Sequence, residues 1–183
     1  MTLDQDSLAR LARDIPHNGD LNYVTRMRIR HEVAEQDLEA LLRLERICAD
    51  RAYAAWRSKF AHDDEPMQLL SEALRDPHNS SLPVALDSLY TKLDDALEPE
   101  NFLAVYAGFA CLNTAYHAIA REMYDQDSEN GEIDIDPQHW SPCFLASLVA
   151  AGGAPWEPNT DPVARREFWQ WYLLNAVPSA CLQ

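Results

Sequence analysis

The segment from Pro99 to about Tyr124 constrains the fold of this chain most. At helical spacing, Phe102, Val105, Phe109, Leu112, Tyr116, Ile119 and Met123 line one large apolar side. Ala104, Ala107, Gly108, Cys111, Ala115 and Ala118 line a second side built of small residues. A helix that is apolar on both sides has to be enclosed by other elements. Small residues let a neighbouring helix axis come close. The pattern therefore predicts the central helix of a bundle.

The flanking segments supply the helices to surround it. Leu3, Leu8, Leu11 and Ile15 mark a short first helix, ended by the turn-like His17-Asn18-Gly19-Asp20. A second helix is expected from about Asn22 to Val33. Its Arg26, Arg28 and Arg30 stand at alternate positions, which spreads them around the helix as surface partners for nearby acids. A third runs from about Glu35 to Phe60 on the stripe Leu38, Leu41, Cys48, Ala52, Trp56 and Phe60, with Glu45 as its one exception. Beyond the break at His62–Pro66 come Met67, Leu70 and Leu74. Pro83 then opens a helix carrying Leu86, Leu89, Leu93 and Leu97. Ser141-Pro142 starts a further helix, and Gly152-Gly153 closes it. No window alternates at period two. The expected fold is all-α: a single-domain bundle of about seven to eight helices over residues 1–183.

The last helix carries its own start and stop. The Asp161 carboxylate suits an N-cap, and Pro162 suits the first helical position, where a missing N–H costs nothing. Pro178 is read as its end. Between them, Phe168, Trp169 and Tyr172 share an apolar face with Trp171 at its border. This is a core anchor and not a catalytic motif. Trp56, Trp140 and Trp156 read as core or lid residues, the last two beside loops.

Charge narrows the function. Residues 1–60 hold ten bases and ten acids, whereas residues 61–183 hold five bases and twenty acids, so the whole net charge of −15 lies in the later part. Nucleic acid and anionic membrane would both be repelled. A basic protein partner or a cation would be attracted, although an acidic surface also serves solubility alone. The chain lacks an uninterrupted apolar run of the roughly 18 residues a membrane span uses. Its acidic, amphipathic start does not resemble a signal peptide. Cys48, Cys111, Cys143 and Cys181 show no paired spacing and read as reduced thiols, the first two buried, which points to the cytoplasm.

The densest run of acids lies between Asp125 and Asp136. Asp125, Asp127 and Glu129 match the first three ligand positions of a calcium loop, but Gly131 falls one place late and Asp136 stands where a bidentate Glu belongs. The same loop, through Asp125, Asp127, Glu129, Glu132, Asp134 and Asp136, is a candidate contact surface for a basic partner. The histidines form no HExxH pair, and His117 reads as buried and hydrogen-bonded. No phosphate loop, nucleophile elbow or catalytic cysteine signature is present, and no cofactor or metal is implied. A small hydrolase that reverses a toxin's modification would need convergent acids. Asp63-Asp64 and Asp94-Asp95 are the adjacent pairs, and such pairs more often cap or solvate helices.

Three segments together resemble a known family. These are Cys48-Ala49-Asp50-Arg51 leading through Trp56 to Phe60–Pro66, the small-residue helix Ala104–Ala120, and Asp161-Pro162 with Arg165-Arg166, Phe168–Leu173 and Ala176-Val177-Pro178. The pattern resembles the all-α immunity proteins of bacterial polymorphic-toxin systems, the family numbered five among the Imm families. The resemblance implies a non-enzymatic protein that binds a cognate toxin and occludes it. The charge adds that the toxin is basic, for instance a nuclease. A helical calcium-binding module and the small hydrolase are the alternatives. The acidic run 125–136 is not part of the family pattern.

Overall fold

The computed structural model of the chain describes residues 4–123 and 131–181. Among these residues there is no strand. The order is α1 (Gln5–Arg13), α2 (Tyr23–Gln36), α3 (Leu38–Lys59), α4 (Glu65–Arg75), α5 (Leu82–Asp95), α6 (Phe102–Ala120), α7 (Pro142–Ala151), α8 (Pro162–Trp171) and α9 (Val177–Cys181). Short 3-10 turns at Pro99–Asn101, Gly131–Asp134 and Pro137–His139 join some of them, and a π turn at Tyr172–Ala176 makes α8 and α9 one rod.

The central position read for α6 holds. It packs against α3, α4, α5 and α7, and residues from both of its sides are buried. Where α5 and α3 meet it, Gly108 leaves room that a Cβ would fill to 2.5 Å from Leu93 Cδ2 and 3.1 Å from a Trp56 ring atom. One property was missed from the sequence. The stretch Pro99–Ala120, at 22 residues and mean hydropathy 1.3, is long and apolar enough to cross a membrane. The polar Asn113, Thr114 and His117 interrupt its apolar run without lowering its mean far. In this fold 72% of that window is buried inside the bundle.

Two boundaries differ from the sequence reading. The long third helix begins later, because Asp37 leaves the helical region (φ −165°) and caps α3, accepting a 3.0 Å bond from the Glu39 N–H. Pro178 does not end the last helix. In the π turn the Val177 N–H bonds to the Tyr172 carbonyl, five residues back. This wider register places Pro178 in the first turn of α9, where its missing N–H is tolerated.

The start of the rod is as read. Asp161 accepts from Val163 N–H (2.8 Å) and Ala164 N–H (3.0 Å), while Phe168, Trp169 and Tyr172 are fully buried. Arg165, equally buried, donates to the carbonyls of Asn18 and Gly153 (3.1 Å each) and to Thr160 Oγ1 (2.9 Å). One guanidinium thus ties the rod to the loop after α1 and to the end of α7. Trp171 is half-buried, with the Arg51 guanidinium 4.1 Å from its ring centroid.

Candidate functional site

Two of the three arginines assigned to the surface of α2 lie in the core. Arg26 and Arg30 are each 1% exposed. Three- to four-residue spacing explains this better than alternation does, since Arg26, Ile29, Arg30 and Val33 share the buried face of α2. Arg28 stays outside and faces Glu32 at 3.9 Å.

Each buried arginine meets a buried carboxylate. Arg30 Nη2 donates to Glu45 Oε1 at 2.8 Å, and His117 Nδ1 lies 2.7 Å from Glu45 Oε2. Glu45 is the residue that interrupts the apolar stripe of α3, and it joins α2, α3 and α6 through one carboxylate. Burial pushes the Glu45 carboxyl up, but His117 and Arg30 outweigh it and hold the group below its ordinary value. Glu45 is therefore ionised and accepts from both partners.

Arg26 holds Glu132, in the described end of the acidic run. Its Nη2 meets Glu132 Oε2 at 2.5 Å, and its Nη1 meets Asp20 and the Leu21 carbonyl. The guanidinium carbon sits 4.6 Å from the Phe144 ring centroid and 5.3 Å from that of Trp169. Of the candidate contact residues, Glu132 is thus 5% exposed and its carboxylate is committed to the core. That carboxylate neutralises Arg26, and withdrawing it would strand a buried cation. Asp134 and Asp136 are exposed. Asp125, Asp127 and Glu129 lie outside the described residues. Among the described residues no three His, Cys, Asp or Glu side chains gather to hold a metal ion.

Trp140 is the wall between two surface features. Its indole N–H donates to the Glu132 carbonyl at 2.9 Å. On one side it continues a ladder of rings, with Tyr106 at 5.7 Å, Phe144 at 5.4 Å and Trp156 at 6.0 Å between centroids. Trp156 ends the ladder at 43% exposure. On the other side is a cleft of about 790 Å³ between α5, α6 and the turn Pro137–His139. Asp87, Tyr90, Tyr116, His117, Glu122 and His139 line it with Trp140. The Tyr116 hydroxyl donates to Asp87 (3.0 Å), and Tyr90 bonds to Gln138. His117 is 5% exposed, with Nδ1 on Glu45.

The adjacent acids do not line this cleft. Asp63 accepts from the Glu65 N–H (3.1 Å) and pairs with Lys92 (2.5 Å). Asp64 borders a second depression between α3 and α4, which Asp50, Glu72, Arg57 and Arg75 also line. Asp94 and Asp95 end α5 in solvent.

The bundle, its ion-paired core and the aromatic rod define an all-α helical protein. The family model described as Immunity protein Imm5 matches residues 16–179, nearly the whole chain. The chain belongs to the Imm5 family of immunity proteins. Membership implies binding of a cognate toxin, and the family is typically non-enzymatic. No curated protein matches the chain significantly.

Sequence reasoning missed the Arg30–Glu45–His117 chain and the cleft above it. Glu45 in an apolar stripe and His117 in an apolar helix were the visible signals. Their meeting across 72 positions is tertiary.

Proposed function

We propose that this chain neutralises a cognate toxin of a bacterial polymorphic-toxin system by binding and occluding it in the cytoplasm, without chemistry of its own. The family match over residues 16–179 carries the reading. The charge distribution supports a basic toxin, such as a nuclease whose own surface attracts phosphates. Between residues 77 and 164 the chain holds fourteen acids and two bases. Both bases are engaged in ion pairs, Lys92 with Asp63 and Glu65 and Arg121 with Glu39. The exposed acids of this region, among them Asp87, Asp94, Asp95, Glu122, Asp134 and Asp136, present an unbalanced negative field. Such a field accelerates capture of a basic partner. A helical scaffold held by buried ion pairs also loses little freedom on binding.

Capture of the partner from host cells by the tagged chain, at low and at high salt, tests this. A single toxin domain in a stoichiometric complex that loosens with salt is the expected result. A complex indifferent to salt would retain immunity and overturn the electrostatic mechanism. Absence of any toxin, in cells shown to express candidates, would overturn the reading.

A further inference from the structure

The cleft beside Trp140 has a chemistry more specific than a negative field. Glu45 is ionised and can only accept, so the 2.7 Å contact to His117 Nδ1 is an N–H donated by the imidazole. In the neutral ring this leaves Nε2 with its lone pair, on the edge opposite the buried carboxylate. His117 lines the cleft and its Nδ1 is turned to Glu45, which leaves the edge that carries Nε2 as the one toward the cleft. Glu45 is fixed in turn by Arg30, which holds ring and tautomer in place. A side chain 95% buried thus presents one unused polar atom to an open cavity.

The surroundings select what it would meet. Tyr90, Tyr116 and Trp140 give aromatic walls, and the exposed Asp87 and Glu122 put carboxylates on the rim. Among the described residues no lysine or arginine lines the cleft. An acceptor at the floor, rings along the sides and anions at the mouth complement a long apolar stem carrying a cationic N–H donor. We propose that this cleft is the socket for a lysine or arginine side chain of the toxin, with His117 Nε2 accepting from it and Asp87 and Glu122 neutralising it. That the side chain belongs to a toxin rests on the immunity reading; that the cleft binds such a group does not.

The two parts are tested separately. In the first, the isotopically labelled full-length chain is titrated with n-butylammonium, n-butylguanidinium and neutral n-butanol, following the His117 ring and Trp140 indole NMR signals. Saturable shifts with either cation, absent with butanol and lost in Asp87→Asn/Glu122→Gln, are expected. Both rim residues are exposed, so this variant keeps the fold. Equal shifts with butanol, or cation shifts confined to other acids, would overturn the cation socket. In the second, the captured toxin is titrated against the same variant and against Asp94→Asn/Asp95→Asn, which carries the same charge change outside the cleft. The cleft variant is expected to bind about tenfold more weakly, with the control within about threefold of wild type. Equal losses in both variants would overturn the socket as a toxin site while leaving immunity intact. If the wild-type chain neutralises no toxin, the immunity reading fails, and the amine titration alone decides the cleft.

Discussion

Replacing Glu45 by leucine removes one carboxylate and leaves two polar groups in the core without it. Arg30 stays cationic, because a guanidinium does not deprotonate, and its Nη2 loses a 2.8 Å acceptor at 1% exposure. His117 loses the partner of Nδ1. Breaking a buried pair from one side costs about 3–5 kcal/mol. For a chain of this length each kcal/mol moves Tm by about 2–4 °C, so a fall of about 6–20 °C is expected by calorimetry near pH 7. The pH dependence has a definite sign. The Glu45 carboxyl is held below its ordinary value of 4.5 in the fold, against the upward push of burial, by His117 and Arg30. Its stabilisation is therefore complete above about pH 4.5 and lost as pH falls through the lower folded value. The gap between wild type and Glu45→Leu should hold steady above about pH 4.5 and narrow as the pH falls below it. Replacing Arg30, Glu45 and His117 together by apolar residues of similar volume should recover much of the loss, since no buried charge is then stranded. A Glu45→Leu protein melting within about 2 °C of wild type, or a gap that does not narrow in acid, would refute the argument.

Other positions test other links. Gly19 has φ +77°, and a Cβ there would run into the Pro162 backbone oxygen, so Gly19→Ala should cost about 1–3 kcal/mol in a urea titration. Asp161→Ala removes two capping bonds at the start of α8 and should cost about 1 kcal/mol by the same measurement. The buried Cys48, Cys111 and Cys143 have thiols pushed up by burial, so a thiol reagent should modify Cys181 alone in the native chain and all four cysteines after unfolding. Glu132→Gln weakens the partner of Arg26, and faster proteolysis between residues 131 and 136 than in wild type would show that this pair pins the acidic run.

Much of the helical order was legible because its signals are local. Asp161-Pro162, Ser141-Pro142 and Gly152 act within a turn of where they stand, and each marks the boundary it promised. The small residues of α6 announced close packing, which Gly108 provides against Leu93 and Trp56. Pro178 misled because its effect depends on the hydrogen-bond register upstream, and a π turn changes that register with no sign in the residues. Arg26 and Arg30 misled because charge usually marks a surface, whereas here each has a carboxylate waiting in the core.

The sequence by itself determined an all-α chain with a central apolar helix, an aromatic closing rod and a net negative charge that lies in residues 61–183, since helical period, caps and charge are properties of neighbours along the chain. Only the tertiary structure decided which polar residues are buried in ion pairs and which stay at the surface. It drew Glu132 onto Arg26 across 106 positions and Glu45 onto His117 across 72, and it left Asp87 and Glu122 at the mouth of a cleft. Sequence cannot encode those assignments locally, because a charge becomes core or surface only when the opposing helix supplies, or fails to supply, its counter-ion.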